Sequence, residues 1–180
     1  MATKQTKELI KNTFMSLLEH KNFIQITVTE ICKIAKINRG TFYLHYYDIN
    51  DVLDEILDEL FKDTSTMLDH VFCLENNCTY PFCDKIQNDK RHKTLFMDDI
   101  ISAKILNKLA TMQKESYVNW ILSHSHLTSD EAEALFYFQM NGCLTINKFM
   151  LQKGEIDWRK IRTTIDTFIK SGLEGIINAN

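Results

Sequence analysis

Pro81 is the only proline in 180 residues, and glycine occurs at just five positions, Gly40, Gly142, Gly154, Gly172 and Gly175. Proline lacks an amide hydrogen and its ring clashes with the preceding helical turn, so it is the residue that forces a helix to break. Away from position 81, nothing in the covalent chain forbids helix, and apolar periodicity takes up that permission. Leu9, Ile10, Thr13, Phe14, Leu17 and Leu18 recur at helical spacing, with Lys7, Lys11 and Glu19 off the stripe, which predicts a first helix over about 4–21. A second, about 28–35, buries Val28, Ile31, Ile34 and Ala35, and a third runs from Arg39 to about Tyr46. A long fourth helix carries Val52, Leu53, Ile56, Leu57 and Leu60 and reaches about Val71. Beyond it, helices are predicted near 90–97, 99–123, 129–152 and 157–177, with a short one over 81–88. No alternating strand pattern, internal repeat or low-complexity stretch interrupts the series. The expected fold class is all-α, with about nine helices.

Several of these starts are marked by side chains that satisfy the free amides of a first turn. Thr27 with Glu30, and Thr128 with Glu131, have the spacing of a capping box. Asn38 is a favoured N-cap for the third helix, and Gly154 a favoured stop for the one before it.

With 44% hydrophobic and 25% charged residues, the composition is that of a globular protein. No window approaches the ~20 apolar residues that a membrane span requires, and the N-terminus runs straight into an amphipathic segment, so the expectation is a cytoplasmic protein without a membrane partner. Five cysteines make an odd number, and free thiols are expected rather than a disulfide framework. The net charge of −3 is unevenly divided. Residues 1–50 hold seven Lys/Arg against four Asp/Glu, and residues 51–180 hold fourteen against twenty. A mildly basic head therefore precedes an acidic body, the distribution that directs the head toward phosphate.

Two short helices joined by the three residues Lys36-Ile37-Asn38 place one helix in a major groove while the other crosses the backbone. In the third helix Ile37 and Phe42 meet the interior demand, which leaves Asn38, Arg39, Thr41, Tyr43 and His45 facing outward. Arg39 suits a guanine edge, Thr41 a thymine methyl or a phosphate, and the phenol and imidazole suit phosphate oxygens. Tyr46 reads as a core aromatic.

Phe23, Thr27-Val28, Ile31, Ala35, Ile37-Asn38-Arg39-Gly40-Thr41-Phe42-Tyr43, His45-Tyr46 and Leu53 together resemble the N-terminal signature of the TetR family of transcriptional regulators. The resemblance covers residues 9–53, about a quarter of the chain. It implies a three-helix DNA-binding domain over 1–47, a helical regulatory and dimerisation domain over 48–180, and no enzymatic activity. Carried over by position, the implied DNA contacts are Thr27, Thr29, Asn38, Arg39, Gly40, Thr41, Tyr43 and His45. Asn22 and Lys36 stand where the family usually has glycine. Ile49 stands where a phosphate-binding lysine is common, so Tyr47 or Lys33 is expected to take over that contact.

For the body, the resemblance implies a homodimer on a pseudo-palindromic operator, with the last two long helices at the interface, and a repressor released by a small-molecule effector. Leu135, Gln139, Gly142, Ile146 and Met150 share a face of the 129–152 helix, and Phe168, Ile169 and Leu173 offer a facing surface. Intramolecular core is the competing reading of the same residues. Phe96, Met97, Met112, Tyr117, Trp120, Phe136, Tyr137 and Met140 are the large or adaptable side chains available to line a ligand pocket. His70, Cys73, Cys78, Cys83 and His92 form a patch of metal-capable groups, but without the paired spacing of structural zinc sites; buried or incidental thiols are the first reading, and a metal or redox signal, or a partner protein, the alternatives to an organic effector. No resident cofactor is expected. A phosphate-binding glycine loop, a zinc-protease motif and a nucleophile elbow are all missing from the sequence. The reading from another class is a helical protein-interaction module without specific DNA binding.

Overall fold

The computed structural model describes residues 2–68, 86–154 and 156–178, and among them every regular element is helical. The head comprises α1 (Ala2–Leu18), a 3-10 turn (Phe23–Gln25), α2 (Val28–Ala35) and α3 (Arg39–Tyr43). Next come α4 (Ile49–Leu68), α5 (Lys90–Met97), α6 (Asp99–His124), α7 (Ser129–Lys153) and α8 (Trp158–Ile177).

Oxygen-bearing side chains open most of these helices. Thr27, Asn38, Asp89, Asp98, Thr128 and Asp157 each accept a hydrogen bond from a first-turn amide, and both predicted capping boxes are present. The ends are less regular than expected. α1 stops at Leu18 rather than about 21, where the backbone tightens and the His20 amide donates to the Leu17 carbonyl at 3.0 Å. α3 stops at Tyr43 rather than about 46, through the same tightening between the His45 amide and the Phe42 carbonyl at 2.9 Å. That turn swings Tyr46 into the interior.

One continuous core runs through the molecule. Ile10 and Phe14 of α1, Ile31 of α2 and Phe42 of α3 join Val52, Leu53, Ile56 and Leu57 of α4, and the cluster continues into Leu95, Phe96, Ile101, Ile105 and Phe136. α1 is central to it, packing on α2, α4 and α5, while α6 and α7 form the most extensive pairing. Helix α8 differs from the rest, for none of its residues is fully buried.

Four positions depart from the simple stripe. Leu9 and Ile34, expected in the core, are exposed, and Cys32 is buried in place of Ile34. The larger surprise is Lys11, expected outside and only 1% exposed. Its ammonium bonds Glu59 of α4, lies 2.6 Å from Glu8 and 3.7 Å from Glu55, and so draws three carboxylates around one buried charge. Lys7 extends the cluster, 2.6 Å from Glu55 and over the Tyr46 ring at 5.2 Å, and Arg91 of α5 reaches Glu59 at 3.5 Å. Burial alone would lower the Lys11 pKa, but the hydrogen-bonded carboxylates of Glu59 and Glu8 outweigh it and hold it above its ordinary value. Glu55 is likewise pushed up by burial and pulled down further by Lys7 and Lys11, for a net lowering. Tyr46 has its phenol pKa raised, first by burial and then by the neighbouring Glu55 charge.

These shifts fix the sign of the pH dependence. The Lys11 contribution is complete below its ordinary value of 10.5 and is lost as pH climbs through the raised one, whereas that of Glu55 is complete above 4.5 and is lost as pH falls through the lowered one. Lys11→Met keeps the aliphatic stem but leaves the partly exposed carboxylates to repel, and is expected to cost about 2 kcal/mol. Urea unfolding of wild type and variant as a function of pH checks this; the difference should hold between those two values and narrow at both extremes.

Candidate nucleic-acid interface

The turn between α2 and α3 is set by one strained residue. Lys36 closes α2 in the left-handed region (φ 54°, ψ 40°), the sole non-glycine with positive φ among the described residues. The amides of Lys36 and Ile37 both return to the Cys32 carbonyl, which satisfies the end of α2. Asn38 then starts α3, its Oδ1 accepting from the Thr41 amide at 2.7 Å. Asn22, the other departure from glycine, needs no left-handed backbone: it is extended (φ −71°, ψ 153°) and opens the 3-10 turn.

Phe42 is fully buried under α3 and Ile37 packs against the core, so the opposite side of α3 is turned to solvent. Thr27, Thr29, Lys33, Asn38, Arg39, Gly40, Tyr43 and Tyr47 are exposed, and Thr41 and His45 are half-buried. All ten predicted contact residues are thus accessible and gathered on α2, α3 and the segment that follows.

Several of them are already engaged. The Thr27 hydroxyl donates to Glu30 Oε2 at 3.1 Å and accepts from the Glu30 amide at 3.3 Å. Lys21 reaches the same carboxylate at 2.6 Å, and these bonds hold the Glu30 carboxyl below its usual range. The Arg39 guanidinium donates to the Thr29 hydroxyl, and the Thr41 hydroxyl donates to Asn38 Oδ1 at 3.0 Å. The positive charge of the head is reduced in the same way. Lys7, Lys11 and Lys21 are all ion-paired, whereas Lys33 and Lys36 are exposed with no ion pair among the described residues. Ile49 packs against the core, and the Tyr47 amide is tied to Asp51 at 2.7 Å, which leaves the Tyr47 ring outside.

Sequence reasoning overlooked Leu44. It caps the end of α3 in helical conformation and is the most exposed aliphatic residue of the head, at 81%. No sequence signal pointed to it, since neither proline nor glycine marks the end of α3.

The head is fastened to the body at Asp98. Its Oδ1 caps α6 by accepting from the Ile100 and Ile101 amides at 3.0 and 3.1 Å, while its Oδ2 accepts from the Phe23 amide of the 3-10 turn at 2.7 Å. Lys104 and Lys108 of α6 face Asp54 and Asp58 of α4, so ion pairs also lace these two helices.

In the body the expected pocket residues do not converge. Phe96, Phe136 and Met140 are core, Trp120 is half-buried and stacks on His124, and Met97, Met112 and Tyr137 are exposed. Only Tyr117 of that set lines the open apolar groove of about 160 Å³ between α6, α7 and α8, whose walls include Leu135, Phe138, Phe168 and Leu173. At its floor the Tyr117 hydroxyl donates to Gln139 at 3.0 Å, so Gln139 points inward rather than along an outer face. Gly142 is open, with nothing within 4 Å of an added Cβ. Of the Cys/His patch, His70, Cys73, Cys78 and Cys83 lie outside the described residues; His92 pairs with Asp89 at 2.7 Å, and no metal-capable cluster occurs among the described residues. Cys32 is buried, which pushes its thiol pKa up against a smaller opposing pull from Arg39.

No family model matches the chain. Over 72 residues, 38% of the chain, it is 32% identical to YxbF, an uncharacterised helix-turn-helix-type transcriptional regulator of Bacillus subtilis (strain 168), and the match spans 19% of that protein's length. Solved structures extend the similarity to almost the whole chain. A TetR transcriptional regulator from Streptococcus agalactiae 2603V aligns at a TM-score of 0.66 and 20% identity, covering 93% of this chain and 95% of that one. A structure assigned to the TetR family, from Syntrophomonas wolfei strain Goettingen, aligns at 0.64 and 16%, covering 98% and 99%. The chain therefore has the TetR-type all-α fold, and the proteins it resembles are described as regulators rather than enzymes.

The strain at Lys36 has a measurable consequence. Lys36→Gly is expected to stabilise the protein by about 1 kcal/mol, because glycine adopts the left-handed conformation without a Cβ penalty. Chemical denaturation of the two proteins in parallel tests it, and an unchanged midpoint would contradict the strain.

Proposed function

We propose that this chain is a member of the TetR family that acts as a DNA-binding transcriptional regulator, α3 entering the major groove while α2 crosses the phosphate backbone. The observation that carries this reading is the arrangement of α2, turn and α3 over a buried Phe42, with every candidate contact residue accessible. Docking of this kind leaves Lys33 and Lys36 to meet phosphate and α3 to meet base edges.

A pair of heads reads a pseudo-palindromic operator only if two chains are held together, and we assign that role to α7 and α8. Helix α8 buries no residue fully within its own chain, Phe138 and Phe168 are 70% and 67% exposed beside the apolar groove, and Gly142 and Gly172 leave room for a close approach. A second copy of the chain covers such a face at little cost in polar desolvation. Repression relieved by a small-molecule effector in the body completes the reading. Buried Gln113 supports it, because its Oε1 lacks a hydrogen-bond partner among the described residues, and a donor on a bound molecule satisfies it. Asp98 offers the route from body to head.

Selection of bound fragments from random DNA, followed by titration at several salt concentrations, tests the central claim. The expected result is a pseudo-palindrome bound with an affinity that falls steeply as salt rises. Tyr43→Ala should weaken binding without altering the thermal transition, and Arg39→Ala should lose about 1–3 kcal/mol of specificity if its guanidinium leaves Thr29 for a base. Recovery of no preferred sequence would overturn the regulator reading. The dimer is tested separately: Phe168→Glu is expected to sediment as a folded monomer where wild type sediments as a dimer.

A further inference from the structure

Part of the hydrogen-bonding capacity of α3 is committed within the head. Asn38 Oδ1 takes hydrogen bonds from both the amide and the hydroxyl of Thr41, the Thr41 hydroxyl hydrogen is thereby spent, and one of the five N–H groups of Arg39 is given to Thr29. The end of the helix also presents an exposed aliphatic side chain. Leu44 continues the helical turn, its amide donating to the Gly40 carbonyl at 3.0 Å, so Gly40 and Thr41 lie one turn before it on the same face. Gly40 has no side chain to hold a partner away, and Leu44 is 81% exposed. Tyr43 and Tyr47, before and after it in the chain, are exposed and carry phenol groups that suit phosphate oxygens. An exposed isobutyl group at the end of this helix matches one feature of a base pair in the major groove, the C5-methyl of thymine, which is read by apolar contact.

We propose that Leu44 is a specificity-determining residue of this protein, seated against a thymine methyl in each half-site, so that the head selects an A·T pair by apolar contact. This rests on the DNA-binding reading above, and the two fail differently. Solvent exposure alone is ordinary for a leucine; here it coincides with a place among the candidate contact residues, with the commitment of Asn38 Oδ1 and the Thr41 hydroxyl, and with the bare face at Gly40.

Deoxyuridine pairs as thymine does but lacks the methyl, so the test replaces each thymine of the selected operator in turn and measures the dissociation constant for wild type and Leu44→Ala. Leu44 makes no buried contact, so the variant is expected to keep the wild-type thermal transition. At one thymine per half-site, deoxyuridine should weaken wild-type binding about fourfold, the worth of one buried methyl, and should leave Leu44→Ala unaffected. At other thymines the two proteins should respond alike. If no methyl matters to wild type, or if the methyl effect persists in Leu44→Ala, the assignment is overturned while specific DNA binding stands. If no operator is selected at all, the regulator reading falls and this assignment with it.

Discussion

A lysine ammonium shut away from water has to be met by carboxylates, and Lys11 meets that demand with glutamates from two helices. The requirement does more than neutralise a charge. Glu8 comes from the same helix as Lys11, whereas Glu55 and Glu59 lie one turn apart on α4, so the crossing of α1 over α4 is fixed to the reach of one side chain. Everything in the head hangs from that crossing. α2 packs on α1, α3 packs on α2, and Tyr46 lies against the same cluster, where Glu55 and Lys7 surround its ring. Apolar packing supplies most of the stability, but it is tolerant of rotation about a helix axis; the buried charge is not.

Much of the layout was legible in the sequence because it depends on local chemistry. Helix starts at Thr27, Asn38 and Thr128 follow from side chains that reach an amide two or three residues away, and the stripe of α4 is buried as its periodicity says. Failures occur where the deciding partner lies far along the chain. Nothing near Lys11 announces that carboxylates 44 and 48 residues later will receive it. The swap of Ile34 for Cys32 is a shift of one face around α2 that only the position of α1 decides. The end of α3 carries no stop signal, since no proline or glycine follows, and so Leu44 escaped notice. The proposed pocket residues were chosen by size and chemistry, properties that core side chains share, and most proved to be core or surface.

The head is economical with its polar groups. Bonds that hold α2 and α3 in shape occupy Thr27, Asn38, Arg39 and Thr41, and three of the seven basic residues of the first fifty are consumed by ion pairs. A charge count over the sequence overstates what is left for phosphate. The strained lysine at the turn stands out against this background, because there an exposed cation is retained where glycine would be more comfortable.

Asp98 divides its two oxygens between the first turn of α6 and the backbone of the 3-10 turn that leads into α2. A carboxylate is planar and short, so these groups share a pivot with almost no slack. The amides of Ile100 and Ile101 and the amide of Phe23 are therefore set at distances that one side chain fixes. The first turn of the longest helix of the body and the entry to α2 are thus held in one register by the two oxygens of a single side chain, while the ion pairs to α4 hold that helix further along.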